Sequence, residues 1–111
     1  MTEIKLFKQA ENYIGLECSG HIDRKINGSE LVCAALSAIV QTALLGVIQL
    51  AGVNLDFKRD DKKGYLKFLL PQTLTKEQQE IVNIILKTCM LGVSDLAIEY
   101  SDFMSVEVVN K

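Results

Sequence analysis

The chain of 111 residues holds a single histidine, His21, and three cysteines, Cys18, Cys33 and Cys89, with no CxxC pair. An odd, widely spaced cysteine set argues against a disulfide framework. One histidine and no paired cysteines argue against a zinc site, and no metal or cofactor is expected. Charge of one sign is also lacking. The net charge is −2 and the pI 5.3, so there is no basic field to hold nucleic acid, and no direct nucleic-acid partner is expected. The opening stretch MTEIKLFKQAENYIGLE alternates apolar and charged residues where a secretory signal would be continuously apolar, which makes a cytoplasmic location the expectation. Glycine-rich phosphate loops, internal repeats and low-complexity linkers are missing as well. With 49% apolar residues, residues 1–111 read as one domain with one core.

What is present is periodicity. EIKLFK (3–8) and YIGLECS (13–19) alternate, with Ile4 and Leu6 on one side of the first and Ile14, Leu16 and Cys18 on one side of the second. A period of two with one polar face predicts half-buried strands, and the short link QAEN predicts an antiparallel hairpin. VNLDFK (53–58) and YLKFLL (65–70) predict a second hairpin around RDDKKG. MSVEVV predicts a last strand with Met104, Val106 and Val108 inward.

Between the hairpins, Leu31 to Val53 carries no charge. Ser29 stands at an N-cap position and Glu30 suits a first helical turn, so a helix from there to about Ala51 is expected. The run is long enough to span a bilayer. Ser37, Gln41, Thr42 and Gln49 within it, and the flanking half-polar strands, favour a core helix, and no membrane partner is expected. Its apolar residues exceed one stripe, so a second helix or another subunit must cover part of it. After Pro71, Thr75 with Gln78 fits a capping box for a second helix to about Leu91, with Gly92 ending or bending it and VSDLAIEY adding a turn or two. The expected fold is a two-layer α/β (α+β) domain, order β-β-α-β-β-α-β, its mainly antiparallel sheet carrying two long helices on one face.

The chemistry-bearing candidates cluster in GHIDRKINGSELVCAALS, residues 20–37. Cys33 falls about one turn inside the first helix, where unpaired amides and the helix dipole favour a thiolate. On composition alone it reads more readily as a small core residue between Val32 and Ala34, as free cysteines often are. His21 precedes a loop able to bring its ends together, and it is the only side chain with an ordinary pKa suited to general-base work. It also reads as a solvated loop histidine. Ser37, one turn after Cys33, either contacts substrate or bonds back to the helix. Glu30 either orients His21 or complements the dipole. A phosphatase-type loop is excluded because Ile39 stands six residues after Cys33, where an arginine is needed. Cys18 alternates toward the core and Cys89 recurs with Ile81, Val82 and Ile85 at helical spacing, so neither is a nucleophile candidate.

Gly20-His21 followed by GSELVCAALS (28–37) resembles the signature of the ribosomal-processing cysteine proteases of the Prp family. That signature is a glycine-histidine pair, a flexible loop, and then G-x-D-[IV]-V-C-A-A-V-S. The resemblance implies a homodimeric endopeptidase that removes the N-terminal extension of the twenty-seventh large-subunit ribosomal protein with a Cys-His dyad. Cys33 would be the nucleophile and His21 the base, with Gly20, Gly28 and Ser37 at matching positions. The loop 22–27 is expected to be mobile without substrate and to close over an extended peptide. Two positions depart from the pattern: Glu30 replaces the aspartate, and Ile22 replaces a small residue. A function of another class, a non-catalytic homodimeric module that binds a peptide or ribosomal protein, is the alternative, and it would leave Cys33 unreactive.

Overall fold

The computed structural model describes residues 1–20, 29–60 and 64–111. Its elements are β1 (Thr2–Gln9), β2 (Asn12–Ser19), α1 (Ser29–Gln49), β3 (Phe57–Asp60), β4 (Tyr65–Leu69), α2 (Lys76–Glu99) and β5 (Met104–Asn110). The strands form one sheet in the order β3-β4-β2-β1-β5. The pairs β1–β2, β2–β4 and β3–β4 are antiparallel, and β1–β5 is parallel. The mainly antiparallel sheet and the two long helices are those expected.

Alternation builds the inner face. Ile4, Leu6, Leu16, Phe68 and Met104 are buried there, and α1 adds Val32, Leu36, Val40, Ala43, Leu44 and Val47. Each fully buried Leu, Ile, Val or Phe contributes about 1.5–3 kcal/mol against exposure. The outer face is polar: Tyr65 Oη donates to Glu17 at 3.0 Å and Lys67 pairs with Glu17 at 3.8 Å. Phe7 points to that side yet is buried, beneath the ammonium groups of Lys67 and Lys111 at 5.8 and 4.6 Å from its ring centre.

Four local features differ from the periodicity. A register shift beside Phe7 leaves Ile14 unpaired between Gly15 and Tyr13, so Tyr13 takes the buried place and Ile14 is half-buried. The third strand starts at Phe57, not Val53. Val53 and Leu55 instead close the core from an irregular segment, and pairing begins where Phe57 meets Phe68. α2 runs through Gly92 to Glu99, because Gly92 lies against Ile39 of α1 and the core period continues to Val93. In β5, Met104 is buried but Val108 is 37% exposed.

Thr75 and Gln78 form the expected capping box, with reciprocal bonds of 3.1 and 3.0 Å. The Gln78 side chain also donates to the Ala51 carbonyl at 3.2 Å, joining the start of α2 to the end of α1. Deeper along the pair, Gly46 faces Ile85 as Gly92 faces Ile39, and each missing side chain admits the opposing isoleucine.

Candidate active site

α1 begins at Ser29 and carries Cys33 in its fifth position. Val32 and Leu36 on either side are buried, Cys33 is half-buried against them, and Ser37 one turn on is exposed. The thiol therefore sits on the boundary between core and solvent, near the first-turn amides that lack helical partners. Glu30 is exposed in the first turn, where its charge suits the dipole.

The other two thiols are held in the protonated form. Burial, and then the charge of Cys33, pushes the Cys18 pKa up to about 11. Burial, and then Cys18, does the same for Cys89. A thiol with such a pKa presents almost no thiolate at neutral pH. Cys33 and Cys18 are both half-buried, and Cys33 is the one of the two that lies in the first turns of α1.

Cys18 near the end of β2 and Cys33 in α1 both pack against the buried core, and Cys33 adds to the rise in the Cys18 pKa. His21 follows Cys18 by three residues. His21, Gly28 and the loop 22–27 lie outside the described residues, as does the side chain of Ser29. The approach to His21 is described. Gly20 has φ +99°, a conformation suited to glycine, and a Cβ there would lie 2.5 Å from the Met1 carbonyl oxygen. The Thr2 hydroxyl donates to the Gly20 carbonyl at 3.4 Å, and the Thr2 N–H donates to Phe103 O at 2.9 Å. Sequence reading passed over Thr2. The signal was a hydroxyl residue in phase with the inward Ile4 and Leu6.

Away from this end, a groove of about 810 Å³ runs between α1 and α2, lined by Ala38, Leu45, Gly46, Ile84, Thr88 and Gly92 among others. Leu45, Leu50 and Ile84 of its lining are exposed. Both helices are long and apolar enough to cross a membrane by length and composition, and each buries its other face in the core. Among the described residues, no group of three or more His, Cys, Asp or Glu side chains is placed to hold a metal ion.

A family profile described as Cysteine protease Prp matches residues 1–105. The chain belongs to the Prp family of cysteine proteases. The ribosomal processing cysteine protease Prp of Bacillus subtilis is 30% identical over 95 residues, which span 84% of this chain and 83% of that protein. The fold agrees. The crystal structure of SMU.848 from Streptococcus mutans superposes with a TM-score of 0.85 at 20% identity, over 100% of this chain and 96% of that one. The Prp of S. aureus in complex with a substrate peptide gives 0.82 at 19% identity, over 97% and 99%. The same S. aureus Prp with a covalently linked product peptide gives 0.80 at 23%, over 97% and 99%. Membership in Prp makes the chain a cysteine protease and sets aside the non-catalytic alternative.

Proposed function

We propose that this Prp-family protease removes the N-terminal extension of the twenty-seventh large-subunit ribosomal protein, with Cys33 as nucleophile and His21 as general base. The observation that carries the reading is the position of Cys33, half-exposed at the start of α1 while burial keeps Cys18 and Cys89 protonated. Relatives support it: the B. subtilis protein is named for ribosomal processing, and the S. aureus protein binds a substrate peptide and a covalently linked product.

In the mechanism, His21 takes the Cys33 proton and the thiolate attacks the scissile carbonyl carbon. First-turn amides of α1 hold the resulting oxyanion, a role worth about 3 kcal/mol per donor in other hydrolases. The imidazolium then gives its proton to the leaving amine as the C–N bond breaks. Water, deprotonated by the same imidazole, releases the thioester. Glu30 and Ser37 flank the nucleophile as candidates to orient His21 and to meet the substrate backbone.

The enzyme acts in the cytoplasm as a homodimer whose second copy covers the apolar groove between α1 and α2. That groove has no charged lining residue, as a self-complementary interface prefers. Cleavage of the extended precursor by the wild type, and its loss in Cys33→Ala and in His21→Ala, tests the reading.

A further inference from the structure

We infer that Phe57 is a specificity-determining residue of the protease: from the edge strand β3 its ring meets a large apolar side chain of the peptide substrate, on the flank of α1 that carries Cys33. The inference rests on Cys33 as the nucleophile, the reading given above.

Phe57 is the one exposed aromatic side chain among the described residues, at 46%. Its register places it on the helix-covered face of the sheet. It stands opposite Phe68 of β4, which stands opposite Leu16 of β2 and, one strand further, Leu6 of β1. Those three are buried, and Phe57 ends their row at the edge of the described sheet. The remainder of β3, Lys58, Arg59 and Asp60, is charged, as edge strands commonly are. The ring of Phe57 therefore offers the largest apolar contact area on that edge.

The helices decide which part of the molecule the ring faces. α2 packs on β2 and on β5, and so lies over β1 between them. α1 lies beside it, with Ile39 against Gly92 and Gly46 against Ile85, and covers the β4 side of the sheet. At about 100° per residue, Cys33 lies about 120° around α1 from Ile39, and Ser37 about 160°. The buried Val32, Leu36 and Val40 fill the arc between Ile39 and Cys33. Cys33 and Ser37 are therefore on the flank of α1 turned away from α2. That flank looks toward β3, one strand spacing of about 4.8 Å beyond β4. A cysteine protease must hold a stretch of peptide along its nucleophile for the scissile bond to react. Extended residues alternate their side chains, so a chain held on this flank turns every second one toward the sheet edge, where Phe57 is. A bulky aliphatic or aromatic side chain is the class that such a ring fits.

The test measures kcat/KM on the extended ribosomal precursor for wild type, Phe57→Leu, Phe57→Ala and Cys33→Ala as full chains. Each apolar residue near the cleavage point of the precursor is also replaced by alanine in turn, and sedimentation gives the mass of every variant. Phe57→Ala should lower kcat/KM about tenfold, mainly through KM, and Phe57→Leu by less, as the loss of part of an apolar contact requires. One precursor residue should couple to the ring: its replacement by alanine costs about tenfold with wild type and little with Phe57→Ala. A wild-type kcat/KM in Phe57→Ala, or losses that multiply for every precursor residue, would overturn the inference. So would a changed mass in Phe57→Ala, which would assign the ring to a contact between copies. Undiminished cleavage by Cys33→Ala, or no cleavage by wild type, would instead refute the reading of the site above, and the role of Phe57 would fall with it.

Discussion

Cys18 on β2 and Cys33 on α1 pack against the same buried core, where burial first and then the charge of Cys33 raise the pKa of Cys18. The proposed dyad takes Cys33 of this pair as its thiol. The raised pKa values of Cys18 and Cys89 rank the thiols by reactivity. At pH 7, iodoacetamide should label Cys33 well before Cys18 or Cys89, as read from the masses of the three cysteine peptides over time. Labelling of Cys18 at the rate of Cys33 would contradict the ranking.

The raised thiol pKa values make stability depend on pH at the alkaline end. A thiol whose folded pKa lies above its unfolded value binds more protons in the folded state at high pH. Its contribution is complete below pH 9 and is lost as pH rises from 9.0 toward about 11. The loss reaches as much as about 3 kcal/mol per thiol. Urea melts at pH 8 and pH 10.5 should show the fall, and the double variant Cys18→Ala, Cys89→Ala should show a shallower one.

Glycines in the structure predict opposite outcomes. A Cβ at Gly92 would meet Ile39 at 3.6 Å, an ordinary contact, and alanine has the better helix propensity. Gly92→Ala should therefore raise stability by about 0.5–1 kcal/mol in thermal melts. A Cβ at Gly15 would lie 2.6 Å from the Phe68 carbonyl oxygen in the neighbouring strand, where backbone must move. Gly15→Ala should destabilise by about 1–3 kcal/mol.

The helix groove predicts the assembly state. Ile84 is 68% exposed beside it. If a second copy covers this face, Ile84→Glu buries a charge at the interface and should shift sedimentation from dimer toward monomer. A monomeric wild type would contradict the assignment of the groove.

Most of this architecture was legible from the chain. Alternation located β1, β2, β4 and β5, and the Thr75/Gln78 pair located the start of α2. The misplaced features depend on contacts that a local pattern does not contain. Gly92 reads as a helix end until Ile39 is seen packing against it, and VNLDFK reads as a strand until pairing is seen to begin at Phe57. Ile14 and Tyr13 exchange roles because of a register shift set by the partner strand. At the site, the position of Cys33 was readable from Ser29, Glu30 and the uncharged run that follows. The hydrogen bond from Thr2 to Gly20 was not, because it joins residues 18 apart across the sheet.

Cleavage of the extended ribosomal precursor tests the central claim most directly, with products followed by mass spectrometry for wild type, Cys33→Ala and His21→Ala. The wild type should release the N-terminal extension. Cys33→Ala should fall by at least about 1,000-fold and His21→Ala by about 100- to 10,000-fold, with both variants folded. Undiminished cleavage by Cys33→Ala would contradict the account.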